Sequence, residues 1–195
     1  MPYDLGCGFN YLNYDHGRGE LVSRRDTQQA HERAQVAAFL AWFNKRYRSD
    51  FQVIAEPNPP EAIIKSGRTM RWIEVTDAFW NNEYAIDEYS YATLGERHRP
   101  MGKGPHLNPD ATFAERFVEV IRKKLEKPSY LPSQTLYGPG YLLVPINYPL
   151  FTRVTLDYMR EAWAAATIND LGCFRAIYTT NPISSIYVQR WTEYP

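Results

Sequence analysis

At 195 residues the chain has material for one well-packed domain and little left over for a second. Its 22 basic and 22 acidic side chains cancel to a formal charge of +0, which excludes the global basic field that broad nucleic-acid binding leaves; any basic surface is local. Cys7 and Cys173 supply neither a disulfide framework nor a cysteine-rich zinc pattern, and no leader-like start or membrane-length apolar run is visible, so the expectation is a cytoplasmic protein, neither exported nor inserted into a membrane.

Residues 1–26 mix Gly, Tyr, Asn and charge without a period and read as an irregular arm. Gly6-Cys7-Gly8 is no phosphate loop, because the Lys-Ser/Thr that such a loop needs does not follow. From Thr27 the residues Ala30, Ala34, Ala37, Leu40 and Ala41 recur at helical spacing, with Asp26 or Thr27 as the cap and an end by Asp50. Phe51 to Ala55 reads as a strand, closed by Pro57-Asn58-Pro59-Pro60. A hairpin follows: Ala62-Ile63-Ile64, a turn at Ser66-Gly67, and Met70 to Thr76 with Trp72, Ile73 and Val75.

Residues 77–109 form a long connection, with a helix expected over Asn81 to Tyr91 and then a Gly-, Lys-, Arg- and His-bearing stretch that includes His98, Lys103 and His106. With 15 Tyr and 14 Pro in the chain, such connections are expected to be ordered and to carry specificity. Thr112 opens a second helix, its apolar stripe made by Phe113, Phe117, Val120, Ile121 and Leu125. Lys124 falls on that inward side, so its ammonium either snorkels to solvent or enters a polar space under the helix. After a connection at Ser129 to Gly140, Tyr141 to Ile146 reads as a buried strand and Thr152 to Ala166 as a third helix. Phe174 to Tyr178 and Ile186 to Trp191 read as a closing hairpin around Asn181-Pro182.

The hairpin carries the chemistry. Glu61 opens its first strand and Glu74 lies inside its second, among aromatic and β-branched neighbours. A carboxylate there needs a cation, several donors, a metal or a watered cleft. Pro60-Glu61, the hairpin, and Glu74-Val75-Thr76 together resemble the motif of the PD-(D/E)XK nuclease superfamily, with Glu for the usual Asp and Thr for the usual Lys. The order helix, three strands, helix, strand, helix, strand agrees with that superfamily over Thr27 to Tyr178.

The resemblance implies an α/β, restriction-endonuclease-like three-layer fold: a central mixed sheet flanked by helices, one nuclease-like domain at 27–195 with an insertion at 77–110. It implies hydrolysis of a phosphodiester, with Mg²⁺ or Mn²⁺ held by Glu61, Glu74 and the Val75 carbonyl, and Lys124 standing in for the missing strand lysine, with Lys127 in reserve. Glu32, Glu56 and Asp77 are further candidate acids, and a nucleic acid is the implied partner. A second reading keeps the fold without catalysis, as a nucleic-acid- or protein-binding module. In that reading Glu74 and Lys124 form a buried structural ion pair. A third is an α/β domain of unrelated origin. His98 and His106 fit no compact metal spacing, and Cys173 reads as a small buried hydrophobe.

Overall fold

The computed structural model describes residues 23–102, 104, 107–181 and 187–191. Cys7, Lys103, His106, the turn after Asn181 and most of the 1–26 arm lie outside them. Helix α1 spans Arg24–Tyr47 and so begins three residues before the expected Thr27. Neither Asp26 nor Thr27 is its cap. Ser23 takes that place because it stands three residues ahead of an acid: its hydroxyl accepts from the Asp26 amide, and the Asp26 carboxylate accepts from the Ser23 amide. Arg48, at φ 52°, ends the helix.

Strands β1 (Gln52–Ala55), β2 (Ala62–Ser66) and β3 (Thr69–Val75) form an antiparallel meander, with Ala62 opposite Ile73 and Ser66 opposite Thr69. Gly67, at φ 55°, makes the tight turn between the last two. The 77–109 segment contributes β4 (Ala78–Phe79) and α2 (Asn82–Ala92), and α3 (Pro109–Leu125) follows. This last helix starts ahead of Thr112 because Asn108 is its N-cap and Pro109 its first residue, where a missing N–H is harmless. Next come a 3₁₀ turn at Pro128–Tyr130, α4 (Leu131–Tyr137), β5 (Gly140–Asn147), α5 (Arg153–Ala165), β6 (Phe174–Asn181) and β7 (Tyr187–Arg190). Helix α4 occupies what reads in the sequence as a plain connection. It buries no residue, so it has no apolar stripe to announce it.

The result is an α/β fold with a mixed seven-stranded sheet in the order β1-β2-β3-β5-β6-β7, where β4 pairs with β5 beyond the end of β3. Strands β3, β5 and β6 are parallel; the flanking pairs are antiparallel. Helices cover both faces. Val36, Phe39, Leu40 and Phe43 of α1 pack on Ile64, Ile73, Val75, Leu143 and Tyr178. On the other face Phe113, Phe117 and Ile121 of α3 and Met159 of α5 pack on Trp72, Leu142, Val144 and Ile177. Strand β5 is buried along its whole length, as a central parallel strand covered on both sides must be. Among the described residues no helix is long and apolar enough to cross a membrane.

Packing beside the site is tight at Gly140. A β-carbon there would lie 2.4 Å from the Trp72 ring, which is fully buried and donates from Nε1 to the Gly138 carbonyl at 2.8 Å. The ring cannot swing aside without losing that bond. Gly140→Ala is therefore expected to destabilise the fold by about 1–3 kcal/mol, read as a lowered urea midpoint at unchanged slope. An unchanged midpoint would show that the ring has room to move.

Candidate functional site

Alternation along β3 sorts its side chains. Ile73 and Val75 enter the α1 core, so Trp72 and Glu74 face α3. Glu74 is 1% exposed, and its Oε1 accepts from two donors at 2.5 Å each: Lys124 Nζ, from the last turn of α3, and the Tyr130 hydroxyl, from the turn after it. Lys124 does reach inward from its helix, and its side chain keeps 22% exposure, so the pair stands at the edge of the core. Burial, and then the Glu74 carboxylate, push the Tyr130 hydroxyl well above its ordinary pKa, which keeps it a donor. Trp72 stacks on the Tyr130 ring at 5.5 Å and holds it in place.

Glu61 precedes β2 by one residue instead of opening it. Extending the β2–β3 register by one step sets it opposite Glu74, and the two carboxylates interact electrostatically. Its pKa is pushed up to about 8, by burial first, then by Glu74 and Glu32, with Lys124 and Lys127 pulling the other way. The oxygens Glu61 Oε2 and Glu74 Oε2 are both buried, and no donor of the described residues reaches either. Two such buried carboxylate oxygens, one on β3 and one just before β2, are expensive unless a cation or a proton meets them.

The Val75 carbonyl lies at the same end of the sheet. Thr76 donates its amide to Leu143 on the β5 side, so by strand alternation the polar groups of Val75 turn toward β2. There Pro60, the residue before Glu61, has no N–H to offer. Glu61, Glu74 and the Val75 carbonyl are thus drawn to one end of the β2–β3 pair. Among the described residues no three His, Cys, Asp or Glu side chains are grouped to hold a metal. A hard cation here would have two carboxylates, a carbonyl and water, a set that suits Mg²⁺, which binds through one or two carboxylates and keeps several waters.

The further acids divide. Glu32, on the buried stripe of α1, lines a recess of about 90 Å³ together with Glu61, Arg33, Val53, Glu56 and Asn58. Burial raises its pKa, Gln28 lowers it by donating at 2.8 Å, and Asp77 and Glu74 raise it again. Glu56 is paired at the surface with Arg33 at 2.7 Å. Asp77 is occupied: its Oδ1 meets His31 Nε2 and Asn147 Nδ2, each at 2.8 Å, and its Oδ2 accepts from Tyr89 at 3.1 Å. Burial lowers the His31 pKa, but the Asp77 charge, the hydrogen bond to Asp77 and the Glu32 charge together outweigh that and raise it. His98 is a surface partner of Asp87 at 2.5 Å, and Cys173 is buried beside Gln134.

Two residues of this neighbourhood escape a reading of the sequence. Tyr130 has no local signal, since only the tertiary fold carries it to Glu74. His31 has one. With Thr27, Glu32, Val36 and Phe39 it follows the helical period of the buried stripe, which marks both His31 and Glu32 as inward polar residues. Comparisons with protein-family models, with curated proteins and with solved structures gave no match.

Proposed function

We propose that this chain is a divalent-metal-dependent nuclease-like enzyme with a divergent PD-(D/E)XK site, hydrolysing phosphodiesters. One observation carries the reading: Glu74 on β3 and Glu61 just before β2 each bury a carboxylate oxygen that no donor of the described residues meets, and a lysine is held at 2.5 Å from Glu74. Mg²⁺ or Mn²⁺ bound between them would acidify water and spread the charge that develops on phosphate. The chain's own residues supply the rest. Lys124 and Tyr130 both grip Oε1 of Glu74, which fixes the carboxylate and leaves Oε2 directed away from them. Glu61, held near pKa 8, keeps a proton at neutral pH until a cation displaces it. Lys124 places a positive charge at the site from the helix, where the superfamily motif has it on the strand.

The same ion pair also supports the reading without catalysis, because Lys124 and Tyr130 already give Glu74 a charged and a neutral partner. Titration calorimetry of Mg²⁺ and Mn²⁺, run in buffers of different ionisation heat beside a cleavage assay on single- and double-stranded DNA and RNA, separates the two. Binding that releases a proton and cleavage that needs the cation are the expected results. A folded protein that binds neither cation at millimolar concentration would leave the binding-module reading in place of the enzyme.

A further inference from the structure

In the proposed site Lys124 is committed to Glu74, at 2.5 Å, so it is not available as a contact for substrate. The next cation along is Lys127, three residues on, at the start of the 3₁₀ turn. Its side chain is exposed, and the ion pairs among the described residues do not include it. Instead its ammonium lies over the ring of Tyr130, 5.3 Å from the centroid. That is the ring whose hydroxyl binds Glu74. Tyr130 thus spans the site, with its hydroxyl on the acid pair and its face under Lys127. The ammonium is near enough for Glu61 to respond to its charge.

We infer that Lys127 is a substrate-positioning residue that binds a backbone phosphate next to the one cleaved. The inference rests on the nuclease reading of Glu61 and Glu74 and adds to it a positioning residue. A lysine outside the ion pairs of the described residues, parked on an aromatic face beside an acid pair, offers a point charge, which is what a phosphate contact needs. With the whole chain at +0, such single placed cations must do the local work that a basic surface does elsewhere.

The test is fluorescence anisotropy of labelled oligonucleotides, single- and double-stranded, in Ca²⁺ over a series of salt concentrations, for the wild type, Lys127→Gln and Lys127→Arg. One phosphate contact contributes about 0.9 to the log–log salt slope on duplex and about 0.7 on single strands. Lys127→Gln should therefore flatten the slope by that amount and weaken binding to duplex roughly eightfold at about 0.1 M salt, with thermal stability kept. Lys127→Arg should restore both. A change in melting without a change in salt slope would assign Lys127 a packing role and overturn the inference. A wild-type slope in Lys127→Gln would overturn it alone, leaving the metal site standing. A wild type that binds no oligonucleotide would overturn it together with the nuclease reading.

Discussion

Glu74→Gln is expected to abolish cleavage while the fold survives, and Lys124→Met is expected to do the opposite to stability. The reason lies in how the two oxygens of Glu74 are used. The glutamine variant keeps an acceptor for Lys124 and Tyr130 at the Oε1 position. It replaces Oε2 by an amide nitrogen, a donor, at one of the two places where a cation would meet a carboxylate oxygen. Activity should fall on the order of 10²–10³-fold or more, with divalent binding lost in the same variant.

Lys124→Met instead leaves a carboxylate that is 1% exposed with Tyr130 as its remaining donor. Breaking a buried pair by removing one partner costs about 3–5 kcal/mol, and the partial exposure of Lys124 puts the expected loss near the lower end, about 3 kcal/mol in urea denaturation. The double variant should recover most of that loss, because the uncompensated charge is then gone. Divalent binding undiminished in Glu74→Gln would remove Glu74 from the metal set. A Lys124→Met protein as stable as the wild type would show that the pair carries no buried charge.

The residues that define this site were legible in the sequence to different degrees, for physical reasons. Glu74 stands out because a carboxylate inside Met70-Arg71-Trp72-Ile73-Glu74-Val75 contradicts its apolar neighbours, and such a conflict needs a partner. Lys124 stands out for the same reason on a helix, and the structure joins the two at 2.5 Å. The elements α1, α3, β3 and β5 followed from their strong periods, and the expectation of a mixed sheet between helices came from the resemblance that their order carries. Helix α4 and strand β4 did not follow, because a seven-residue helix without a buried face and a two-residue strand carry no period to read. Tyr130 was hidden for another reason. Its role depends on a contact 56 residues away along the chain, which local pattern cannot encode. Asp77 is the instructive opposite, since its position just after β3 suggests a ligand, yet His31, Asn147 and Tyr89 take both of its oxygens.

Without divalent ions, the wild type should lose stability as pH rises from about 4.5 to about 8, and Glu61→Gln should remove part of that loss. The sign follows from proton uptake. Below the ordinary range near 4.5, Glu61 is protonated in the folded and unfolded chains alike and contributes no difference. Between 4.5 and about 8 the unfolded chain releases the proton while the folded chain holds it, so each rise in pH favours unfolding, and the effect levels off above 8. Because Glu61 is only partly buried, solvent screening reduces the expected difference between the two proteins at pH 8 to about 1–2 kcal/mol. Glu32, also raised, adds to the slope with the same sign. His31, a raised base, contributes stability that is present below its ordinary 6.5 and is lost as pH climbs through its folded value. His31 is common to the wild type and the variant, while Glu32 and Glu74 are coupled to Glu61, so the difference between the two stability curves reports Glu61 together with that coupling.

A cation that binds between Glu61 and Glu74 competes with that proton. Millimolar Mg²⁺ should therefore raise the melting temperature of the wild type more at pH 8 than at pH 5.5, and should do little for Glu61→Gln. If the pH slope is reduced in Glu61→Gln but Mg²⁺ changes nothing at any pH, Glu61 holds a proton and the pair holds no metal. The site would then be a buried polar device of the fold, and the chain's function would lie in what its surface binds.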